Sequence, residues 1–330
     1  MAALAVPSLT ILDVGHGSCA ILAEAGRIVV FDAGPKSDLL EFLRQHQIDT
    51  IDLLMISHAD SDHIEGLIAI LGTNAIAVKM VRLNTDSLKG SDLWNDLLLE
   101  LDSLQKQGKT DFSIGLTEGD SGKYDSSEVA LEIIGPSPYL AGKGPGSKDT
   151  FNRRITTNSI SAVIRVIYNG APVALLTSDM DEIGLDEIVR GGKKVTAPIL
   201  VFPHHGGNAG KDIVAFAEQL CNLVQPEQVL FSIGRGRYGT PIPDVIDQAR
   251  RVNAKVKISC TQLSEHCATD VPATDHTHIS SVFANGRDKR RCCAGSITVS
   301  LSTTVTDFPM WKEHQEFISS FAPSALCRRS

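Results

Sequence analysis

The segment His58-Ala59-Asp60-Ser61-Asp62-His63 places two imidazoles and two carboxylates within six residues. It follows an apolar run, 51–57, and precedes an apolar helical pattern, 64–71, which predicts a turn from a buried strand into a helix. Groups this crowded repel one another or shift in pKa, and a divalent cation relieves that by binding neutral imidazole and ionised carboxylate together. The spacing therefore predicts a metal site, in preference to a polar turn with chance histidines.

Further candidate ligands lie downstream, where other apolar runs end. Asp179 comes soon after the run 173–177, and His204-His205-Gly206-Gly207 comes soon after the run 197–202. By itself such a pair is either structural or metal-binding, and only a family resemblance of the whole set of motifs implies that one of the two completes a second metal site. The sequence leaves open which of the two binds metal and which contacts substrate.

The motif His58-x-Asp60-x-Asp62-His63 resembles the HxHxDH signature of the metallo-β-lactamase fold, with Asp60 in place of the second histidine. Five more blocks follow the family order, at 13–17, 31–34, 158–159, 178–179 and 204–207. Over about residues 8–260 the chain is similar to the soluble metallohydrolase domain of bacterial competence DNA-uptake channels and their stand-alone relatives. The resemblance implies one α/β (α+β) domain over 1–330, built as a four-layer αββα sandwich.

The resemblance also implies a site that holds two divalent ions, Zn²⁺ or Mn²⁺. The implied ligands are His58, Asp60, Asp62, His63, Asn158, Asp179, His204 and His205, with Asp179 as the bridging carboxylate. Asp32 is expected to hydrogen-bond one ligand and fix its orientation. Asp60 and Asn158 stand where most members have histidine, so one site is richer in oxygen and favours Mn²⁺ or Mg²⁺.

The catalytic roles are assigned in the same way. Asp62 is expected to take a proton from the attacking water. Thr240 stands where the family has a histidine, so Tyr238, His204 or bound water must protonate the leaving group instead.

Three side chains are candidates for binding the substrate. Arg235 and Arg237 are either phosphate contacts or solvated arginines of a turn. His16, in a loop flanked by glycines, either edges the active site or lies on the surface.

Alternating and apolar runs predict the elements that must position these residues. Strands are predicted at 8–14, 19–22, 27–31, 51–57, 78–83, 129–134, 158–168, 173–177, 197–202, 227–233 and 296–301, and helices at 39–45, 64–71, 91–107 and 211–223. Residues 137–156, rich in glycine and proline, are expected to form a mobile loop over the metal site or against a partner.

The last part of the chain departs from the simple fold. An insert at about 260–295 carries Cys260, Cys267, Cys292 and Cys293, which we expect to converge. A structural zinc site, a disulfide and buried thiols all remain open, because the spacing is not a CxxC knuckle. A tail at about 305–330 is expected to dock on the body or on another chain, so insert and tail are candidate surfaces for a protein partner.

Composition narrows the class of protein. The 330 residues are 42% hydrophobic and contain no run of about 18 apolar residues that could cross a bilayer, so no membrane association is expected. Residues 1–7 lack the basic segment of a signal peptide, and the odd number of cysteines, seven, suits a reducing compartment, so we predict a cytoplasmic protein. The net charge of −8 argues against a general nucleic-acid coat but permits a nuclease with a local basic rim.

These features together predict a metal-dependent hydrolase. The favoured substrate is a phosphodiester in nucleic acid or a nucleotide, which makes the chain a phosphodiesterase or nuclease. The alternatives are a hydrolase of another ester, a thioester or a lactam, and a partner-dependent subunit, for example of a defence system.

Overall fold

The computed structural model describes residues 7–73, 75–273, 277–302 and 308–328. The described strands are β1 (Ser8–Ile11), β2 (Ala20–Glu24), β3 (Arg27–Phe31), β4 (Thr50–Ile51), β5 (Leu53–Ile56), β6 (Ala77–Val78), β7 (Met80–Leu83), β8 (Asp111–Ile114), β9 (Val129–Gly135), β10 (Val163–Tyr168), β11 (Ala171–Leu176), β12 (Ile199–Val201), β13 (Gln228–Phe231), β14 (Lys257–Cys260) and β15 (Ile297–Ser300). The described helices are α1 (Asp38–Gln45), α2 (Ser61–Leu71), α3 (Asp92–Lys106), α4 (Pro138–Lys143), α5 (Glu182–Arg190), α6 (Ile213–Val224), α7 (Pro243–Val252) and α8 (Trp311–Phe321).

Two mixed sheets carry the fold. The first has the strand order β15-β1-β2-β3-β5-β7-β8 and the second β14-β13-β12-β11-β10-β9, while β4 and β6 form a small separate pair. Apolar side chains of the two large sheets, such as Phe31, Met55 and Val166, share one buried cluster. Helices α1, α2 and α3 cover the outer face of the first sheet, and α5, α6 and α7 that of the second. The layers are α, β, β and α, which confirms the predicted sandwich.

The hairpin of β10 and β11 shows how local sequence sets the sheet. Asn169 and Gly170 connect the strands, and both have positive φ, 48° and 77°. That conformation is typical of the two-residue turns whose twist matches a hairpin. The turn fixes the register in which β11 leads to the candidate ligand Asp179.

The structure corrects the bounds of some predicted elements and adds others. Residues Asn158–Ile160 form a 3-10 turn, and the strand begins only at Val163. The segment 137–156 contains α4, because Ser137 accepts a hydrogen bond from the Leu140 N–H and Pro138 suits a first helical turn. Helices α5 and α7 and strand β8 were not predicted, although Asp181 is an N-cap for α5 and Pro243 begins α7.

Helix α2 packs tightly on the loop after β3. The Gly66 N–H donates to the Gly34 carbonyl at 2.9 Å, and a Cβ on Gly66 would lie 2.0 Å from the Ala33 carbonyl oxygen. Only a residue without a side chain permits this approach. The contact holds the helix that carries His63 against the loop that follows Asp32.

We predict that Gly66→Ala destabilises the fold by about 2 kcal/mol, because the added methyl group forces the helix and the loop apart. Unfolding in urea measures the change. The matched control is Gly72→Ala at the end of the same helix, where φ is −66° and a Cβ would lie 3.4 Å from the nearest backbone oxygen. Equal stability of the two variants would contradict the packing argument.

The described residues between β14 and β15 form turns and isolated bridges, and α8 then packs on the outer face of the second sheet. Of the tail predicted at 305–330, residues 305–307 and 329–330 lie outside the described residues. His314 of α8 is fully buried, with Nε2 3.2 Å from Cys293 Sγ. Burial, with a smaller effect of His278, lowers the pKa of His314 to about 3.

This buried histidine predicts a loss of stability in mild acid. The unfolded chain takes up a proton near pH 6.5 while folded His314 stays neutral down to about pH 3, so unfolding binds a proton between these values and stability falls as pH decreases. The contribution lost between pH 7 and pH 5 is about 2 kcal/mol. In His314→Leu, urea unfolding should show a drop between the two pH values that is smaller by this amount. An identical drop in both proteins would contradict the assignment.

Candidate metal centre

The motif segment lies where the first sheet meets its covering helix. His58 and Asp60 follow β5, and Asp62 and His63 are in the first turn of α2. Asp179 follows β11 and His205 follows β12, so both enter from the second sheet. The site is therefore formed at one edge of the sandwich by loops from both sheets.

A buried carboxylate, Asp32, ties these loops together. Its Oδ1 accepts the Ser57 N–H at 2.8 Å, and its Oδ2 lies 2.8 Å from His63 Nδ1 and 3.0 Å from Ser178 Oγ. Burial alone would raise the pKa of Asp32, but the neighbouring His63 imidazole, His58 and the Ser57 N–H lower it overall. This is the orienting position that the resemblance implied for Asp32.

Three imidazoles are held by Nδ1 and present Nε2 to the same space. His63 Nδ1 is bonded to Asp32, His58 Nδ1 lies 2.9 Å from Ser57 Oγ, and His205 Nδ1 lies 2.8 Å from the Ser232 carbonyl oxygen. Among the described residues, no hydrogen-bond partner faces any of the three Nε2 atoms, although all are buried. Buried polar atoms normally have a partner. Metal-binding histidines are held in this way, with the second ring nitrogen hydrogen-bonded behind the site.

Two groups of side chains place three ligand atoms each within 4.8 Å of one another: His58, His63 and Asp179 in one, and His16, Asp62 and His205 in the other. The groups adjoin, because Asp179 Oδ1 lies 3.6 Å from the Nε2 atoms of both His63 and His205. Asp179 can therefore face both groups. His16 was predicted as a substrate contact, and the structure brings it into the second group instead.

The charges in this space balance only in part. Burial would lower the pKa of His63 and of His205, but nearby carboxylates, Asp32 and Asp179 for His63 and chiefly Asp179 for His205, raise both. Burial would raise the pKa of Asp62, but His205 and His63 lower it to about 2. A divalent cation could replace the imidazole protons as counter-charge to the carboxylates.

The other predicted ligands lie around these groups. Asp60 Oδ2 is 3.6 Å from His58 Nε2, and its Oδ1 forms an ion pair with Lys89. Asn158 Nδ2 is 3.2 Å from His204 Nε2, while its Oδ1 is buried without a partner in the described part of the chain. His204 Nδ1 is 3.6 Å from Asp179 Oδ2. Asn158 and His204 thus form an outer edge, and Asp60 would have to leave Lys89 to bind an ion.

The backbone at the site is held in an uncommon conformation. His204 and His205 have φ values of 50° and 57°, and Asp32 and Ser178 have 55° and 47°. Residues other than glycine adopt such positive φ values rarely, and the cost of about 1–3 kcal/mol each must be offset by surrounding contacts. The next residue, Gly206, packs closely against the Phe231 ring, and a Cβ at this position would collide with it.

The residues predicted for substrate binding and proton donation form the rim. Tyr238 is 76% exposed, and its ring centroid lies 4.6 Å from that of His16. Arg237 is exposed beside it. The guanidinium of Arg235 donates instead to the carbonyl oxygens of Leu263, Ala268 and Thr269. These hydrogen bonds engage Arg235 with the insert, and its role as a phosphate contact stays a prediction.

The predicted convergence of four cysteines is also corrected. Cys260, Cys267 and Cys293 belong to one buried region, together with Cys327, which raises the pKa of Cys293 alongside burial. Cys292 points the other way, with Sγ 3.5 Å from Asp13 Oδ2. Neighbouring residues of an extended segment face opposite sides, so Cys292 and Cys293 enter different buried clusters. None of these thiols belongs to a three-ligand group among the described residues, so the structural zinc site remains only a sequence prediction.

A groove of about 580 Å³ opens on the Asn158 side of the site. Its walls include Arg154, Asn158, His204 and Lys211, and the exposed ring of Phe151. The groove reaches the outer edge of the site at Asn158 and His204.

Residues 12–142 match the sequence profile of the metallo-beta-lactamase superfamily. The chain has the metallo-β-lactamase fold. The matched range includes Asp32 and the whole segment from His58 to His63, and the two-sheet architecture extends the fold over the remaining strands. The match covers less than half of the chain, and together with the clustered His and Asp side chains it supports a metal site at these residues.

One curated relative is the competence protein ComA of Neisseria gonorrhoeae, 24% identical over 255 residues. The aligned region covers 76% of this chain and 30% of that protein, so the chain spans less than a third of its relative.

Solved structures with a similar fold include two further proteins. The metallo-β-lactamase-fold protein YhfI of Bacillus subtilis is 9% identical, with a TM-score of 0.48 and coverage of 77% of this chain and 96% of that one. Igni18, a metallohydrolase of Ignicoccus hospitalis, is 13% identical, with a TM-score of 0.45 and coverage of 78% and 97%. Separately, no helix in the described part of the chain has the length and apolar character needed to span a bilayer.

The donor set fits divalent metal. Imidazole nitrogens, carboxylates and an amide oxygen are the ligand types that Zn²⁺ and Mn²⁺ take, and here the buried Nε2 atoms have no hydrogen-bond partner in the described part of the chain. His58, His63 and Asp179 would hold one ion, and His16, Asp62 and His205 the other.

We predict that the protein takes up close to two Mn²⁺ or Zn²⁺ ions per chain. Asp179→Asn removes the carboxylate that faces both groups, so it should bind at most one ion tightly. Elemental analysis after incubation and desalting measures the ratio. Asp102→Asn, an exposed residue of α3, is the control and should retain the wild-type content. Equal content in the Asp179 variant and the wild type would reject the two-ion assignment.

Proposed function

We propose that the chain hydrolyses phosphodiester bonds in nucleic acids or nucleotides, with two divalent ions at the site. The main support is the convergence of carboxylates and buried imidazole nitrogens, which have no hydrogen-bond partner among the described residues, beside a rim that carries Arg237 and other cations. Phosphoryl oxygens need such positive charge, and arginine binds them through paired hydrogen bonds. The similarity to hydrolase domains of DNA-uptake channels supports the same substrate class.

The ions, when bound, would lower the pKa of a water and stabilise charge on the attacking and leaving oxygens. The chain's own residues would orient the water and bind the substrate. Asp62, ionised at neutral pH, would accept a hydrogen bond from the attacking water and so orient it. Burial lowers the pKa of His204, so this side chain would act as a neutral hydrogen-bonding group at the mouth of the groove.

We assign to Tyr238 the role of donating a proton to the leaving group. Its side chain is exposed at the rim of the site, with its ring beside that of His16. Arg237, two residues after Arg235 in the same turn, would pair with the charge that remains on the phosphoryl group. Cytoplasmic location belongs to the same proposal, since Cys19, Cys221 and Cys260 are buried free thiols.

The test is a substrate screen with metal-stripped protein. Phosphodiesterase activity on bis(4-nitrophenyl) phosphate, single- and double-stranded DNA, RNA and cyclic dinucleotides should appear on addition of Mn²⁺. His58→Ala and Asp62→Ala should lower kcat/KM by at least a hundredfold with the fold intact, because each removes a ligand. Arg237→Ala should mainly raise KM.

The control Asp102→Ala makes the same change as Asp62→Ala at an exposed position and should keep full activity. Circular dichroism and urea unfolding check that the inactive variants are folded. Activity confined to thioesters or lactams would reject the phosphodiester proposal, and so would full phosphodiesterase activity in His58→Ala.

A further inference from the structure

A second cavity opens beside His16, on the side of the site away from the Asn158 groove. It has a volume of about 140 Å³ and is bounded by the loop after β1, the loop before α1, the turn after β13 and the insert. Five cationic residues line it: Lys36, Arg235, Arg237, Lys289 and Arg291. His16 belongs both to this wall and to the second ligand group, so the cavity adjoins the metal centre.

The positive charge of this basic pocket exceeds the negative charge that lines it. The side chains of Lys36, Arg237, Lys289 and Arg291 form no salt bridge with any described carboxylate. Arg235 is bonded to backbone carbonyl oxygens, which carry no net charge. Because the chain has a net charge of −8, five such cations around one cavity reverse the local sign of the electrostatic potential.

One carboxylate, that of Asp38, also lines the pocket. Asp38 Oδ2 accepts a hydrogen bond from Asn285 Nδ2 at 2.9 Å. Burial raises the pKa of Asp38 to about 6, with Asp13 acting in the same direction and Lys36 and Lys289 opposing it. The wall therefore keeps a surplus of positive charge when Asp38 is ionised.

The insert is fixed in place, so the pocket exists before any ligand binds. Asp13 is fully buried and accepts hydrogen bonds from the Gly286 N–H at 3.0 Å and from Gln262 Nε2 at 2.9 Å. Gln262 Oε1 in turn accepts the Arg235 N–H at 2.9 Å. These contacts join the insert to the end of β1 and to the turn that carries Arg237. The insert thus supplies Lys289 and Arg291 to a preformed site.

We propose that the basic pocket binds a phosphate group of the substrate adjacent to the phosphodiester that is hydrolysed. This inference rests on the proposed function and narrows it to substrates with at least two phosphate groups. The volume is about ten times that needed for one ordered water, which leaves room for a phosphate and its bound water. Arginine and lysine together suit phosphate, through paired hydrogen bonds and point charge respectively.

The test compares substrates that differ only in the second phosphate. Thymidine dinucleotide with its single internal phosphate is compared with the same molecule bearing a 5′-terminal or a 3′-terminal phosphate, and with the trinucleotide. In the wild type, kcat/KM should be at least tenfold higher for one or more of the substrates with a second phosphate. The pattern among them distinguishes a terminal phosphate from a strand continuing through the pocket.

In Lys289→Gln and in Arg291→Gln, the ratio of kcat/KM with the second phosphate to kcat/KM without it should fall towards one. Arg251→Gln is the control: it removes the same charge from the exposed face of α7 and should keep the wild-type ratio. Urea unfolding confirms that all three variants are folded. A preference that is absent in the wild type, or that survives in both pocket variants, would overturn the inference.

A binding measurement separates this inference from the proposed function. Calorimetry on metal-free protein with the 5′-phosphorylated dinucleotide should give a Kd that Lys289→Gln raises about tenfold and Arg251→Gln leaves alone. If this holds while no phosphodiester is cleaved, the hydrolytic proposal fails and the pocket stands. If cleavage occurs without any phosphate-dependent preference or Lys289-dependent binding, the pocket fails and the hydrolytic proposal stands.

Discussion

The buried carboxylate of Asp32 is the constraint on which the site depends. It receives hydrogen bonds from the ends of both sheets: Ser57 follows β5 in the first sheet, and Ser178 follows β11 in the second. It also orients His63, the ligand candidate at the centre of the site. A buried network with all its members satisfied gives a unique arrangement, whereas the loss of one member leaves costly unpaired groups. The geometry of the ligand atoms therefore follows from how the two sheets are joined at Asp32.

Features that depend on contacts between residues close in sequence could be predicted from the sequence. The segment from His58 to His63 lies at the predicted strand-to-helix turn, and the Asn169-Gly170 hairpin forms where the turn residues require it. Helix α5 was not predicted although Asp181 is a good N-cap, because Gly184 in its first turn weakens the helix signal.

Features that depend on distant contacts could not be read from the sequence. His16 lies in the first loop of the chain, and its place beside Asp62 and His205 depends on how that loop folds over α2. The role of Arg235 depends on carbonyl oxygens of the insert, about thirty residues later. Cys292 and Cys293 are adjacent in sequence and yet belong to different buried clusters. In each case the position of the side chain is set by residues that are distant in the sequence.

The same joining of distant segments explains how an acidic protein can present a site for anions. Carboxylates are gathered on the inside, where imidazoles and, by our account, divalent ions balance them. Cations from the β13 turn and the insert are gathered on the rim. The electrostatic potential that a substrate meets is set by this sorting and not by the net charge of −8.

The central claim is that two adjoining ligand groups each hold an ion. The most direct measurement is a crystal structure of the protein soaked in Mn²⁺, with anomalous difference maps recorded at the manganese edge. The account predicts two peaks, one in contact with His58, His63 and Asp179 and the other in contact with His16, Asp62 and His205. Well-ordered side chains at these positions with no anomalous peak among them, at a Mn²⁺ concentration that supports activity, would contradict it.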